Sequence, residues 1–237
     1  MKTVLITGAN KGIGFETAKQ LAQSGYFVYL GSRDKIKGMD AIKEMNDLGI
    51  SNAEFIELDV TNIDSIQKAK QELESKTASL DVLINNAGIS GGQPQNMSSI
   101  KMDDLRKVFD TNFFGAVQTT QQFIPLLKKS NEPRIVNVSS GLASLMYHTQ
   151  NPNFAIYDAY SSSKTALNAF TVLLAKEFRN TNFKINSVEP GYTATDLNHF
   201  QGTQTVEQAA KVIVKYAMVA NDGPTGKFLK EDSEVDW

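Results

Sequence analysis

The sequence predicts an α/β fold in which a doubly wound parallel sheet carries helices on both faces. Short apolar runs alternate with longer helical patterns along the 237 residues. Repeated strand–helix alternation is typical of βαβ units, whose crossovers are right-handed. No linker, repeat or low-complexity segment interrupts the pattern. We therefore expect a single domain over residues 1–237, a length that supports a full core.

The elements follow from the spacing of apolar residues. Gly25 suits the stop of the first helix, and Pro125 is expected to kink the fourth. The predicted strands are short apolar runs at 4–6, 27–30, 55–58, 82–84, 135–138 and 185–188. The predicted helices have apolar residues three or four apart and fall near 12–24, 38–48, 63–73, 101–129 and 159–179.

Composition excludes several classes of protein. The net charge of −2 and the lack of a dense Lys/Arg run argue against a nucleic-acid partner. The absence of cysteine excludes disulfides, cysteine zinc sites and thiol nucleophiles. His148 and His199 lack a metal motif, so we expect no metal and place them on the surface or in a substrate loop. The apolar run at Val4–Ile6 is too short for a signal or spanning segment, so we expect a cytoplasmic protein without a membrane partner.

A glycine-rich segment follows the first predicted strand, with glycines spaced G-x-x-x-G-x-G over Gly8, Gly12 and Gly14. Glycines allow a tight turn and a close approach of backbone to ligand. The N–H groups and dipole of the following helix attract a pyrophosphate. An ordinary βα turn is the alternative. The position after the first strand favours a Rossmann-like dinucleotide site.

The tip of the second strand bears on the choice of nicotinamide cofactor. NAD sites usually place a carboxylate there against the ribose 2′-hydroxyl, whereas this chain has Ser32 followed by Arg33. Arg33 and Lys11 suit a 2′-phosphate, so the sequence predicts NADP(H). Both cations could instead be solvated surface groups. Asp34 also keeps NAD in consideration, because an acid stands close to this point.

Tyr160 and Lys164 are four residues apart in a predicted helix and so share one face. An unperturbed phenol titrates near ~10, and a neighbouring ammonium lowers that pKa. The pair is therefore a candidate tuned acid and base. The same spacing occurs by chance on many helix surfaces.

This pair belongs to a series of seven motifs with a characteristic order and spacing. With them the chain resembles the short-chain dehydrogenase/reductase family over essentially its whole length, and the NADPH-dependent carbonyl reductases most of all. The glycine loop NKGIG, the SRD after the second strand and the ending GPTGKF carry the latter likeness. The motifs are TGANKGIG at 7–14, LDV at 58–60, INNAG at 84–88, TNFFG at 111–115, IVNVSS at 135–140, YSSSK at 160–164 and EPGYTATDL at 189–197.

The resemblance implies a role for each matching residue. Tyr160 would protonate the carbonyl oxygen of the substrate. Lys164 would lower the pKa of Tyr160 and bind the ribose of the cofactor. Ser140 would donate a hydrogen bond to the substrate oxygen. Asn112 would hold a water linking Lys164 to solvent. Ser139 could replace Ser140, and Asn112 could be a polar residue of a helix interior. The cofactor-binding set is Gly8, Asn10, Lys11, Gly12, Ile13, Gly14, Arg33, Asp59, Val60, Asn86, Ala87, Gly88, Tyr160, Lys164, Pro190, Gly191, Thr193 and Thr195. In that set Asp59 could simply cap a helix.

The predicted function is hydride transfer from NADPH to the carbonyl of a small, apolar aldehyde, ketone or quinone. A substrate lid is expected near 191–204, and no Lys or Arg is obviously placed for a substrate acid. The expected walls are Tyr192, Leu197, His199 and Phe200 on one side and Met146, Tyr147, Phe154 and Tyr157 on the other. An NAD(P)-dependent dehydrogenase of a specific alcohol, sugar or steroid is the second interpretation. A non-catalytic NADP-binding regulator is the third.

The stretch between Ser140 and Tyr160 is intermediate in length for such proteins. In the carbonyl reductases a longer insertion covers the helix face that other family members use to oligomerise. Monomer, dimer and tetramer therefore all remain open.

Overall fold

The computed structural model describes residues 1–152 and 156–237, and its strands form one parallel sheet. The strands are β1 (Thr3–Ile6), β2 (Phe27–Ser32), β3 (Ala53–Glu57), β4 (Val82–Asn85), β5 (Arg134–Val138), β6 (Lys184–Val188) and β7 (Phe228–Leu229). Their order across the sheet is β3-β2-β1-β4-β5-β6-β7. The order runs outward in both directions from β1 and β4, which confirms the predicted doubly wound fold.

Helices cover both faces of this sheet. They are α1 (Gly12–Gln23), α2 (Lys35–Asp47), α3 (Ile63–Lys76), α4 (Met102–Phe109), α5 (Gly115–Leu127), α6 (Leu145–Gln150), α7 (Asp158–Glu177) and α8 (Val206–Ala217). Side chains of α1, α2 and α8 pack into one core, and those of α3, α5 and α7 pack into the other. Across the described residues, no helix combines the length and apolar character needed to span a bilayer.

The central strands divide their side chains between the two cores. Val4 and Ile6 belong to the core beneath α1 and α8, whereas Leu5 belongs to the core beneath α3 and α5. Every position of β1, β4 and β5 is buried. This is expected of parallel strands covered on both faces, because successive residues point to opposite sides of a sheet.

The helix predicted over 101–129 is two helices joined by a π-helical turn, Asp110–Phe114. The predicted helix is therefore interrupted at 110–114, and α5 continues through Pro125 to its end at Leu127. Within the π turn Asn112 is 1% exposed. A Cβ at the following Gly115 would lie 2.8 Å from Val60 Cγ2, so glycine permits this close approach of the helix to the chain after β3.

Several elements were not predicted from the sequence. Helix α6 and a 3₁₀ turn, Gly141–Ala143, lie in the stretch of intermediate length between Ser140 and Tyr160. Helix α8 begins at a capping box in which Thr205 and Gln208 bond each other's backbone. Strand β7 pairs with β6 over only two residues, and so short a strand gives little periodic signal.

Arg134 is a buried cation, 3% exposed, in the first position of β5. Its guanidinium donates to the main-chain oxygens of Pro133, Asn182 and Val219 and to Asn221 Oδ1, at 2.7–3.2 Å. Arg134→Met would leave these acceptors without a donor. We expect the free energy of unfolding, measured by urea denaturation, to fall by about 2–4 kcal/mol.

Arg106 provides the matched control, because it lies exposed on α4 and pairs only at 3.5 Å with the exposed Asp103. Arg106→Met should change the free energy of unfolding by no more than about 0.5 kcal/mol. Equal effects of the two substitutions would show that the Arg134 hydrogen bonds contribute no net stability.

Candidate active site

The carboxyl ends of six strands, β1 to β6, open into one cavity of about 1520 Å³. Ligands of open parallel sheets bind at this edge, where the strand order reverses. The cavity is lined by Ser140 and by the whole cofactor-binding set predicted from the sequence, whereas Asn112 is buried behind the wall.

The glycine loop is shaped by a close crossing of two chain segments. Gly8 has a φ of +63°, and a Cβ there would lie 2.9 Å from Ala87 Cα. At Gly14 a Cβ would lie 2.7 Å from the Gly8 carbonyl oxygen. Lys11, the N-cap of α1, makes no side-chain cap, so the first N–H groups of this helix have no capping side chain. The glycine loop and the N-terminus of α1, here called the phosphate cradle, therefore fit the pyrophosphate of a dinucleotide.

Thr7 joins the ends of β1 and β4 and was not singled out from the sequence. Its Oγ1 accepts the backbone N–H groups of Asn86 and Ala87, both at 3.0 Å. Asn86 Nδ2 donates in return to the carbonyl oxygens of Thr7 and Gly8, at 2.8 and 3.0 Å. The first residue of the TGANKGIG motif thus fixes the floor of the cavity.

At the tip of β2 the predicted cation and the neighbouring acid have different surroundings. Arg33 is exposed and lines the cavity. The carboxylate of Asp34 caps α2 by accepting the Lys37 N–H at 3.1 Å, and this bond lowers the pKa of Asp34. The acid that had kept NAD in consideration is therefore engaged in its own helix. Lys11 Nζ lies 3.1 Å from Asp196, within the segment predicted as a lid.

Tyr160, Lys164 and Ser140 come together at the cavity wall. Lys164 is 3% exposed, and its Nζ donates to the Val138 carbonyl oxygen at 2.7 Å. The same nitrogen lies 5.8 Å from the centroid of the Tyr160 ring. The Ser140 hydroxyl is hydrogen-bonded to the Tyr160 phenol and accepts the Leu142 N–H at 3.2 Å. Ser140 rather than Ser139 therefore contacts the phenol.

Burial sets the protonation of this pair. Loss of hydration raises the pKa of Tyr160 to about 12, although the Ser140 hydrogen bond opposes the rise. Burial likewise lowers the pKa of Lys164 to about 8. The sequence led us to expect a lowered phenol pKa, whereas desolvation raises it here. The effect of Lys164 on the phenol stays a prediction. The phenol consequently carries its proton at neutral pH and is placed to donate it.

Asn112 holds two chain segments together behind Gly88. Its Oδ1 accepts the Ile89 N–H at 2.8 Å, and its Nδ2 donates to Ile89 O at 2.9 Å and to Ser163 Oγ at 3.0 Å. Both N–H groups of the amide are therefore used. The relay water assigned to Asn112 by family resemblance stays a prediction.

Glu189 and Lys230 line the cavity and were not singled out as site residues. The Gly141 N–H donates to the Glu189 carboxylate, and a Cβ at Gly141 would lie 2.5 Å from Glu189 Oε1. Burial raises the pKa of Glu189, and the charge of Lys230 opposes that rise. Lys230 is therefore a cation of the cavity lining that the sequence did not indicate.

The predicted substrate walls are partly reproduced. Met146, Tyr147, Tyr157, Tyr192, Leu197 and His199 line the cavity. Phe200 is 66% exposed and does not contribute to the lining, and Phe154 lies outside the described residues. A wall that no motif indicated comes from Glu234, Val235 and Asp236.

Comparisons with known proteins agree with this geometry. Residues 2–205 match the family model described as short chain dehydrogenase. The chain is 34% identical to (+)-neomenthol dehydrogenase of Capsicum annuum, over 95% of this chain and 94% of the relative. It is 32% identical to (−)-isopiperitenone reductase of Mentha piperita, over 98% and 96%. The crystal structure of an NADPH-bound carbonyl reductase from chicken fatty liver superposes with a TM-score of 0.87, at 26% identity, covering 100% of this chain and 99% of that one.

The pKa of Lys164 can be tested directly. In protein labelled with ¹³C at lysine Cε, one resonance is expected to titrate near pH 8, where Lys164 loses its charge as the pH rises. Exposed lysines should titrate near ~10.4. Loss of the early resonance in Lys164→Met assigns it. If every lysine titrates together, Lys164 is not desolvated as its burial indicates.

Proposed function

The chain belongs to the short-chain dehydrogenase family, and from this membership we propose that it reduces the carbonyl group of a small aldehyde, ketone or quinone with NADPH. The protonated phenol of Tyr160, bonded to Ser140 at the cavity wall, carries this proposal. An oxygen that gains electrons needs a proton donor beside it, and a phenol with a pKa of about 12 holds that proton at neutral pH.

The residues at the carboxyl edge of the sheet fit the cofactor. The glycine loop and the N-terminus of α1 would hold its pyrophosphate. Arg33 at the tip of β2 would meet the 2′-phosphate, assisted by Lys11. Bound NADPH supplies the hydride. The structural relative from chicken is described as NADPH bound, in agreement with the cofactor predicted from Ser32 and Arg33.

Each catalytic side chain has a proposed task in carbonyl reduction. Ser140 orients the carbonyl by donating a hydrogen bond to its oxygen. Tyr160 transfers its phenolic proton to that oxygen as negative charge develops there. The charge of Lys164, held by the Val138 carbonyl, stabilises the phenolate that remains. Asn112 keeps the surrounding segments in place and, by resemblance, would hold the water that returns a proton.

The cavity supports a mainly apolar carbonyl compound with a polar feature at one end. Met146, Tyr147, Tyr192 and Leu197 supply the apolar wall, and Glu189 adds a carboxylate beside Ser140. We propose that the segment 191–204 closes as a lid, tethered to the glycine loop by the Lys11–Asp196 pair. The single-domain organisation, cytoplasmic location and oligomeric state stay predictions.

Oxidation of an alcohol is the second candidate, because hydride transfer is reversible and one relative is named a dehydrogenase. The phenol would then have to act as a base. Its raised pKa favours the reductive direction near neutral pH.

Tyr160→Phe tests the assignment of the proton donor. Removing the hydroxyl leaves the ring and helix intact, so NADPH should bind as before while turnover falls by about 10²-fold or more. Turnover is measured as the loss of NADPH absorbance with a panel of small dicarbonyls, aromatic aldehydes and quinones. Binding is measured by fluorescence of the bound nicotinamide. A variant with wild-type turnover would show that another group supplies the proton.

Arg33→Ala tests the choice of cofactor. Loss of a charged contact to a phosphate typically costs about 1.5–3 kcal/mol, so the dissociation constant for NADPH should rise about 10- to 100-fold. The constant for NADH, which lacks the 2′-phosphate, should stay within about twofold. Lys35→Ala, an exposed cation at the start of α2, is the control and should alter neither value. An unchanged NADPH preference in Arg33→Ala would contradict the role of Arg33.

A further inference from the structure

Gln95 is a buried amide outside the cavity, in the segment that follows β4. It is 1% exposed. Its Oε1 accepts the backbone N–H of Tyr160 at 3.2 Å, and its Nε2 donates to the Ser90 carbonyl oxygen at 2.7 Å. Both ends of the amide are thus satisfied, and a single side chain joins the segment after β4 to the helix that carries Tyr160 and Lys164.

Among the described residues, the Tyr160 N–H donates to Gln95 and to no main-chain carbonyl. Tyr160 lies in the first turn of α7, where N–H groups lack intrahelical acceptors. The N-cap residue Tyr157 makes no side-chain capping bond. The carbonyl oxygen four residues earlier, that of Ile156, instead accepts Gln93 Nε2 at 3.1 Å. Gln95 therefore acts as a cap supplied from a distant segment.

The carbonyl group of Tyr160 is also hydrogen-bonded. The Tyr160 carbonyl oxygen accepts from Ser163 Oγ at 2.7 Å, and Ser163 Oγ accepts from Asn112 Nδ2 at 3.0 Å. Asn112 also bonds both backbone groups of Ile89. The backbone of Tyr160 is therefore fixed at its N–H and at its C=O by bonds that trace back to residues 89–95.

The backbone turn in residues 89–95 places Gln95 beside Tyr160. Gly91 has a φ of +81°, in the left-handed region that favours glycine. A Cβ at this position would lie 2.7 Å from Val108 Cγ2 and 3.2 Å from Gln95 Nε2. The turn at Gly91 thus lets the chain pack against α4 and bring the amide to Ser90 and Tyr160.

We propose that Gln95 is a positioning residue for the reaction, which it serves by fixing the backbone of Tyr160 so that the phenol stays at Ser140. This inference rests on the proposed function, in which the Tyr160 phenol is the proton donor. A misplacement of about 1 Å at a reacting group can cost about 10²-fold in rate. The effect of Gln95 should therefore appear in kcat, since the Gln95 side chain does not itself line the cavity.

The kinetic test compares Gln95→Met with Gln93→Met. Methionine approximates the length of glutamine and removes both hydrogen bonds. In Gln95→Met we expect kcat to fall about tenfold, with KM and the dissociation constant for NADPH within about twofold. Gln93 lies exposed in the same segment and bonds Ile156 instead of Tyr160, so Gln93→Met should keep kcat within about twofold. Equal losses in both variants, or unchanged kcat in folded Gln95→Met, would overturn the proposal.

Gln95→Glu provides the conservative rescue. It keeps the side-chain volume and the oxygen that accepts the Tyr160 N–H, while the donor to Ser90 is replaced. We expect its kcat to lie above that of Gln95→Met by about threefold or more. If Gln95→Met does not fold, Gln95→Asn takes its place, because its shorter side chain cannot bond both Ser90 and Tyr160. A wild-type kcat and exchange rate in folded Gln95→Asn would count against the proposal.

Amide hydrogen exchange separates this proposal from the proposed function. The first turn of α7 should exchange about tenfold faster in Gln95→Met than in wild type or Gln93→Met, because the Tyr160 N–H loses its acceptor. This readout requires no turnover. If wild-type protein reduces no carbonyl compound, the proposed function fails, and unchanged exchange would independently sink the role of Gln95.

Discussion

The crossing of the chain after β1 by the chain after β4 is the constraint on which the site depends. These two strands lie where the strand order reverses, so their carboxyl ends diverge toward opposite halves of the sheet. Gly8 approaches Ala87 as closely as the missing Cβ allows. Four hydrogen bonds join Thr7 and Gly8 to Asn86 and Ala87 across the crossing. The phosphate cradle then lies on one side of the crossing, and Gly88, Asn112 and Lys164 on the other.

A series of hydrogen-bonded polar side chains extends from this crossing into the core. Asn85 at the end of β4 donates to Thr120 of α5 and to Asn137 of β5, and Asn137 donates to Thr171 of α7. Thr171 in turn shares a hydrogen bond with Ser187 of β6. Directional bonds in a low-dielectric interior fix relative positions more strictly than apolar packing does. They therefore set α7, and with it Tyr160 and Lys164, against three strands of the sheet.

The extent to which the sequence predicted this molecule follows from where each signal lies along the chain. Strands such as Val82–Asn85 and the glycine loop are contiguous patterns, so periodicity and motifs located them. Gln95 has no local signal, because its importance comes from bonds to Ser90 and, far along the chain, to Tyr160. The phenol pKa was predicted in the wrong direction because spacing reveals an ammonium nearby but not the degree of burial. Glu189 was missed because its neighbour Gly141 is distant in sequence.

The burial of the Tyr160–Lys164 pair bears on whether the protein is a catalyst or only a binder of dinucleotides. Removing a phenol and an ammonium from water costs stability unless hydrogen bonds repay it, and here the Val138 carbonyl and Ser140 supply only part of the lost hydration. A protein that merely senses a cofactor gains nothing from this cost. A reductase gains a cation whose attraction for the phenolate that forms on proton transfer is strengthened by the same low dielectric.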